Sequence, residues 1–324
     1  MGTDKPLISI LMAVYEPKMD WLQEQLDSLN AQTYPNLRLY IRDDCSPTVP
    51  FDEIRALVKR CITAFPYTIE RNNKNLGSNG TFERLTMEAE GEYFAYCDQD
   101  DVWLPEKLNV LQYTLAQEHA LLVCSDMFII NENGKQTADS ITKIRRHHVF
   151  KSGSGLAPQL LISNFVTGCT MLIQATKAQS AIPFCPDMVH DHYLALWCAT
   201  QGTIISIPNP LIRYRIHSNN QTLMMAGIED KESYYHIRIE SLIRRLEWLR
   251  KRLQLDDELM REIDEALLWA KARERNFNGN WKAKIIILKK RRFSPLTSFF
   301  EVAFSGVPRG LFMFFIMLKR RNIV

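Results

Sequence analysis

Residues 93–108, YFAYCDQDDVWLPEKL, decide the fold. Tyr93 to Cys97 is a short apolar run that reads as a buried strand. It ends on Asp98-Gln99-Asp100-Asp101, and Pro105 then opens a helix to about Glu118. A strand that stops on a cluster of acids and passes straight into a helix is one half of a βαβ unit. It also places charge where open α/β sheets bind their ligands, at the carboxyl ends of the strands.

Working outward, the same alternation repeats on both sides. Leu7 to Val14 (LISILMAV) is a continuous apolar run ending before Glu16-Pro17, as expected of a fully buried parallel strand. A helix follows, with Asp20 as its expected cap and Leu22, Leu26 and Leu29 on one face. Leu37 to Ile41 reads as the second strand and ends on Arg42-Asp43-Asp44. A helix over Asp52 to Cys61, a strand near Tyr67 to Glu70, and a polar loop (NNKNLGSNG, 72–80) opening a helix over Thr81 to Ala89 complete the run up to Tyr93. Leu121 to Cys124 is the next strand. The expected class is α/β, a mostly parallel Rossmann-like sheet flanked by helices.

Beyond residue 124 the pattern loosens. Met127 to Asn131 and the Asn133-Gly134 turn suggest a hairpin. Lys151 to Gly155 (KSGSG) reads as a loop. Thr170 to Ile173 and Thr203 to Ile207 read as strands, separated by a helix from about His190 to Thr200. From Glu229 the pattern is helical, with Leu242, Leu246, Leu249 and Leu253 in register. The expected division is therefore 1–228 and a helical region over 229–324.

Asp98, Asp100 and Asp101 repel one another unless a cation intervenes. Hard divalent cations accept such oxygen ligands together with substrate phosphates. A solvated acidic turn is the plain alternative, but a second acidic strand end, Asp43-Asp44, argues for a site. Arg213, Arg215 and His217 alternate along a predicted strand and are expected on one side of it, suited to a pyrophosphate. Trp103, after the acidic turn, and Asn164 to Cys169 are further candidate contacts, with ordinary packing as the plain alternative.

Taken together, these motifs resemble the family 2 glycosyltransferases with the GT-A fold. The resemblance rests on Ala13-Val14-Tyr15-Glu16, Arg42-Asp43-Asp44-Cys45-Ser46, Asn75-Leu76-Gly77 and Asp98-Gln99-Asp100-Asp101, in that order, and spans about Pro6 to Thr222. The stretches DQDDVWLPEKL (98–108) and Arg213-Tyr214-Arg215-Ile216-His217 look most like the rhamnosyltransferase branch. The resemblance implies that Ala13, Tyr15, Asp43, Asp44, Asn75 and Gly77 line the nucleotide pocket. Asp98 would meet the ribose and Arg215 the diphosphate. Asp100 and His217 would hold Mg²⁺ or Mn²⁺. Glu16 stands where the family usually has Asn.

The family also carries an acid at the start of a later helix. Asp191, within His190-Asp191-His192, matches it, and His190 replaces the Glu that usually precedes it. An inverting transfer needs one base for the acceptor hydroxyl, and a carboxylate at a helix N-terminus is stabilised as the anion. Asp191 is thus the expected catalytic base, with Trp103, Gly168 and His190 toward the acceptor or sugar. A plain N-cap is the rival role for Asp191. A His-Asp-His metal site is disfavoured, because i and i+2 do not share a helix face.

Composition sets the frame. The 324 residues are 46% hydrophobic and 24% charged, an ordinary globular balance that needs no disulfide or zinc staple. The seven Cys are irregularly spaced without C-x-x-C, as for buried free thiols in a reducing cytosol. The start of the chain shows no signal peptide, and no run of 18 apolar residues predicts a membrane span. The net charge of +3 conceals an asymmetry: 19 basic and 26 acidic residues over 1–230, against 21 and 11 over 231–324. Residues 281–324 alternate basic clusters with Phe-rich runs, including Leu311 to Leu318, and Glu301 is the one acid there. That combination reads as interfacial helices on an anionic membrane surface. Packing on the body or in a homodimer is the plain alternative, and no nucleic-acid motif accompanies the basic patch.

The resulting expectation is an inverting, metal-dependent glycosyltransferase on the cytoplasmic face of the plasma membrane. It would move L-rhamnose from dTDP-L-rhamnose onto a lipid-linked saccharide for cell-surface polysaccharide. A UDP-hexose or UDP-N-acetylhexosamine donor is the first alternative. A nucleotidyltransferase lacks its Gly-rich basic loop at Tyr15-Glu16-Pro17, and a non-catalytic scaffold is disfavoured by the intact Asp98-Asp100-Asp191 set.

Overall fold

Ile8–Val14 has no polar side chain except Ser9, and six of its seven residues are buried. This strand, β1, sits in the middle of its half of a sheet, because only a strand covered on both faces tolerates such a run. The structure is a computed structural model and describes residues 5–145, 148–217, 227–253 and 257–304, with 306, 310 and 312. By its contacts the chain divides into two units. The first comprises Met1–Leu156, Asn164–Phe184 and Val189–Ser218. The second comprises Ala157–Ser163, Cys185–Met188 and Asn219–Val324. A single cut at 228 does not foresee the two short excursions that join the second unit.

In the first unit the order is β1, α1 (Met19–Asn30), β2 (Leu37–Asp43), α2 (Phe51–Cys61), β3 (Tyr67–Arg71), α3 (Gly77–Glu88), β4 (Tyr93–Cys97), β5 (Val102–Trp103), α4 (Lys107–Gln117), β6 (Leu122–Ile130) and β7 (Gln136–Ala138). Then come α5 (Ile141–Ile144), β8 (Met171–Gln174), α7 (Ala175–Ser180), α8 (His190–Ala199) and β9 (Ile204–Arg215); α6 (Ala157–Leu160) belongs to the second unit. The sheet is nine-stranded, in the order β3-β2-β1-β4-β8-β6-β9-β5, with β7 on β6. β3, β2, β1 and β4 are parallel, as the alternation predicts. β6 is not the next parallel neighbour. β8 enters antiparallel between β4 and β6, and β9 pairs parallel with β6 and antiparallel with β5. Periodicity reads the existence of a strand, not its partner.

Two local expectations shift. Lys18, not Asp20, is the N-cap of α1, and Asp20 lies in the first turn, where the helix dipole still favours its charge. α3 starts at Gly77 rather than Thr81. Asp44 Oδ1 accepts the Leu76 amide at 2.7 Å and Asn75 Oδ1 accepts the Gly77 amide at 2.9 Å, so side chains satisfy the backbone there. Gly77 has φ +73°, a left-handed turn that favours glycine.

The second unit is helical: α9 (Lys231–Tyr235), a π turn over His236–Glu240, α10 (Ser241–Arg252), α11 (Asp257–Phe277), α12 (Ala283–Lys289), a 3-10 turn over Arg291–Phe293 and α13 (Pro295–Phe304). Leu242, Leu246 and Leu249 face inward on α10 as expected. Apart from Phe312, the Leu311 to Leu318 run lies outside the described residues, as does the basic cluster after it. Among the described residues no helix is long and apolar enough to cross a membrane.

Candidate active site

The carboxyl ends of β1, β2 and β4 carry the candidate groups, and the chain is pinned there by side-chain hydrogen bonds. Gln99 grips the Tyr15 backbone from both sides: its Oε1 accepts from Tyr15 N at 2.8 Å and its Nε2 donates to Tyr15 O at 3.0 Å. The Tyr15 ring is left 44% exposed at the strand end, and Ala13 lies two residues earlier, opposite Arg42. Glu16 and Cys45 both have positive φ, 45° and 61°, uncommon for residues with a side chain and concentrated here at two strand ends. Glu16, at the position usually held by Asn, accepts from the Thr48 and Val49 amides at 2.8 and 3.2 Å. These bonds, with one from the Thr48 hydroxyl, hold its carboxyl below the usual range. It ties β1 to the loop after β2.

Asp43 and Asp44 are buried. Asp43 Oδ1 accepts from the Ser46 hydroxyl at 2.5 Å, and its Oδ2 pairs with Arg71 Nε at 3.3 Å. Asp44 Oδ1 takes Asn72 Nδ2 at 2.8 Å as well as the Leu76 amide. Both acids thus have fixed directions, which a base-recognition site requires.

The acidic turn is arranged differently. Asp100 Oδ2 meets His217 Nε2 at 2.7 Å. Asp101 is fully buried; its Oδ1 accepts from Arg215 N at 2.9 Å and its Oδ2 has no partner among the described residues. Asp98, Asp101 and Cys169 bring their ligand atoms within 4.8 Å of one another. Burial, with the neighbouring charges of Asp100 and Asp191, pushes Asp98 up to about 7. Burial likewise lifts Asp101 and Cys169 well above their usual ranges, so Cys169 stays a thiol and the oxygens of the turn remain the donors for a cation. Carboxylates raised by one another, with an imidazole alongside, are a donor set short of positive charge, which is what a divalent cation supplies.

Three expectations about this region change. Arg215 is buried, and its guanidinium is already engaged. Nε donates to Asp100 O at 2.8 Å, Nη1 to Asn131 O and Glu132 O at 3.3 and 3.2 Å, and Nη2 to Glu24 at 2.5 Å. It is a strut for the acidic turn rather than an open diphosphate clamp. Arg213 is exposed while Tyr214 and Arg215 are both buried, so the two arginines do not share a side, and His217 lies beyond the end of β9. Trp103 is buried in the core, not offered to a sugar.

Lys107 explains where Trp103 went. This lysine, fully buried in the first turn of α4, lies 3.1 Å over the Trp103 ring and donates to Cys169 O. Burial lowers it to about 7, opposed by the charges of Asp101 and Asp98. A cation at a helix N-terminus opposes the dipole, which is the signal of it in the sequence. Here the lysine answers the acidic turn from below.

Asp191 stands in the first turn of α8 with no N-cap role; the N-cap is Val189. Its Oδ2 accepts from the Gly168 amide at 2.9 Å, and its Oδ1 from Asn164 Nδ2 at 3.1 Å and its neighbouring amide at 2.5 Å. Burial raises it to about 6 despite those bonds. Gly168 is required by proximity: a Cβ there would meet His190 Nε2 at 2.7 Å. His190 turns inward. It lies 4.1 Å from Phe82 and 5.2 Å from Tyr96, centroid to centroid, its Nε2 has no hydrogen-bond partner among the described residues, and burial drops it to about 3. It is a neutral packing residue behind Gly168, not an acceptor contact.

Comparison with known proteins places the chain in a family. Residues 9–176 match the family described as Glycosyl transferase family 2. An uncharacterized glycosyltransferase of Methanocaldococcus jannaschii is 30% identical over 72% of this chain and 79% of its own. The dTDP-rhamnosyl transferase RfbG of Shigella flexneri is 26% identical over 74% and 81%. An Escherichia coli protein, the UDP-Glc:alpha-D-GlcNAc-diphosphoundecaprenol beta-1,3-glucosyltransferase WfaP, is 28% identical over 38% and 47%. Among solved structures, S. aureus TarS 1-349 in complex with UDP-GlcNAc superposes with a TM-score of 0.57 at 16% identity, covering 83% of this chain and 73% of that one; this likeness concerns the fold. The chain belongs to glycosyl transferase family 2: it is a glycosyltransferase of mixed α/β, GT-A-like fold.

Proposed function

We propose that the protein transfers L-rhamnose from dTDP-L-rhamnose, with inversion, onto a lipid-linked saccharide in cell-surface polysaccharide synthesis, working peripherally on the cytoplasmic face of the membrane. The observation that carries the mechanism is Asp191. It is a buried carboxylate held by Gly168 and Asn164, raised to about 6, and close enough to Asp98 to raise that residue in turn. The likeness to RfbG supports rhamnose, and the name of WfaP supports a lipid diphosphate acceptor.

Tyr15, Asp43 and Asp44 hold the base end of the donor, Asn75 and Gly77 line the same pocket, and Asp98 meets the ribose. Asp100 and His217 would hold Mg²⁺ or Mn²⁺. When bound, such a cation neutralises the diphosphate as it departs. Asp191 accepts the proton of the acceptor hydroxyl while its oxygen bonds to the anomeric carbon. The bond from that carbon to the diphosphate breaks with its electron pair leaving on the nucleotide. A base raised to about 6 is ionised at neutral pH yet basic enough to take the proton.

A thermal-shift panel of sugar nucleotides with and without Mn²⁺ tests the donor. A ligand at 100 times its Kd stabilises the folded state by about 2.7 kcal/mol. The expected result is a Mn²⁺-dependent shift with dTDP-L-rhamnose. A shift with a UDP-hexose alone overturns the rhamnose assignment.

A further inference from the structure

Helix α13 is built inside out. Its buried positions are Ser298 and Glu301. Ser298 Oγ accepts from Trp269 Nε1 at 3.1 Å, and Glu301 accepts from Arg273 at 2.6 and 2.8 Å and from the Tyr234 hydroxyl at 2.7 Å. Its outward positions are Leu296 and Phe299, 63% and 55% exposed. A helix facing water normally reverses that pattern. α12 continues it: Ala283 and Ile287 face inward, while Ile285 is 55% exposed and Trp281, four residues before it, 67%. Large apolar side chains left in water in such number mark an interaction surface.

The same stretch is cationic. Lys290 and Arg292 pair with Glu265 and Glu262 of α11. Lys282, Lys284, Lys289 and Arg291 have no ion pair among the described residues. The one acid from 281 to 304, Glu301, is turned inward and engaged.

We propose that the outward face of α12, the Arg291–Phe293 turn and α13 is a docking surface for an anionic lipid bilayer. Trp281, Ile285, Leu296 and Phe299 enter the interface, and the four unpaired cations meet the headgroup phosphates. This deepens the membrane-surface reading above by naming the face. Charge decides the occupant. A second copy docked by the same face in a twofold dimer would set these cations against themselves. A nucleic acid would satisfy the cations but leave Ile285 and Leu296 without apolar partners.

The test uses the full-length protein and sedimentation with vesicles of phosphatidylglycerol and phosphatidylcholine, against phosphatidylcholine alone, with no substrate present. Binding to the anionic vesicles is expected, with tryptophan fluorescence quenched by lipids brominated in the acyl chain and that quenching lost in Trp281→Phe. Leu296→Asp with Phe299→Asp should reduce partitioning at least tenfold. Lys284→Glu with Lys289→Glu should reduce it by about fivefold per cation removed and make the remainder less sensitive to salt. Nucleotide-induced thermal shifts should be unchanged in all three, so a failed donor assignment leaves this result standing. Vesicle binding unaltered by either double variant overturns the proposal. So does preferential binding to a DNA duplex, or a dimer at micromolar concentration that dissociates with Leu296→Asp.

Discussion

The acidic strand ends of the first unit and the Arg273–Glu301 pair of the second both bury charge, and they do so in opposite ways. Glu301 is matched by Arg273 at 2.6 Å, by the Tyr234 hydroxyl and by packing of the guanidinium 4.5 Å over Trp269. Asp98, Asp101 and Asp191 form no salt bridge among the described residues, the buried Lys107 beside the turn is itself lowered by burial, and burial raises all three acids. A matched buried pair holds architecture together and resists being broken. A cluster left short of positive charge is held ready for groups that arrive from outside, and perturbed acids of this kind gather at functional sites.

Four measurements bear on that contrast. The largest effect belongs to Asp191→Asn, which should lower turnover by roughly 10²–10⁴-fold while leaving nucleotide-induced thermal shifts unchanged. The same variant should be more stable than the parent at pH 8, by about 3 kcal/mol in denaturant titrations at most, because about two units of raised pKa disappear with the charge. The sign follows from linkage. A carboxylate whose native pKa is raised destabilises the fold when ionised, so the gain is full above about pH 6 and vanishes toward pH 4. Unchanged turnover would assign Asp191 to packing alone and dissolve the contrast.

Glu301→Leu should cost about 3–5 kcal/mol of stability to denaturant, since it strands Arg273 in the core. Adding Arg273→Met should recover most of the loss. If the double variant is no better than the single one, the pair is not the source of the stability. The smallest effect is the pH profile. kcat/KM should fall about tenfold per unit below roughly pH 6 as Asp191 takes up a proton. A flat profile down to pH 5 would place the essential base elsewhere.

Much of this was legible in the chain. The four parallel strands, the helices between them and the three acidic strand ends follow from apolar runs closed by polar turns. Motif order marks Asp100, His217 and Asp191 as candidates. It does not mark the partners that set their environments. Lys107 reads as an ordinary lysine in a helix opening, Gln99 as filler between two acids, and Glu24 as a solvent residue of α1. Each acts through a contact distant in sequence, such as the bond between Arg215 and Glu24. His190 and Trp103 read differently for the same reason: a polar or aromatic residue beside a motif looks available until the packing around it is known.

By itself, then, the sequence determined which segments are strands and helices and which side chains could do chemistry. Those properties rest on local periodicity and residue type. Tertiary structure alone decided that β8 runs antiparallel between β4 and β6, that Arg215 is a brace, and that α13 turns Glu301 in and Phe299 out. Burial and pairing are properties of the space between segments. No stretch of chain encodes that space until the others have closed around it.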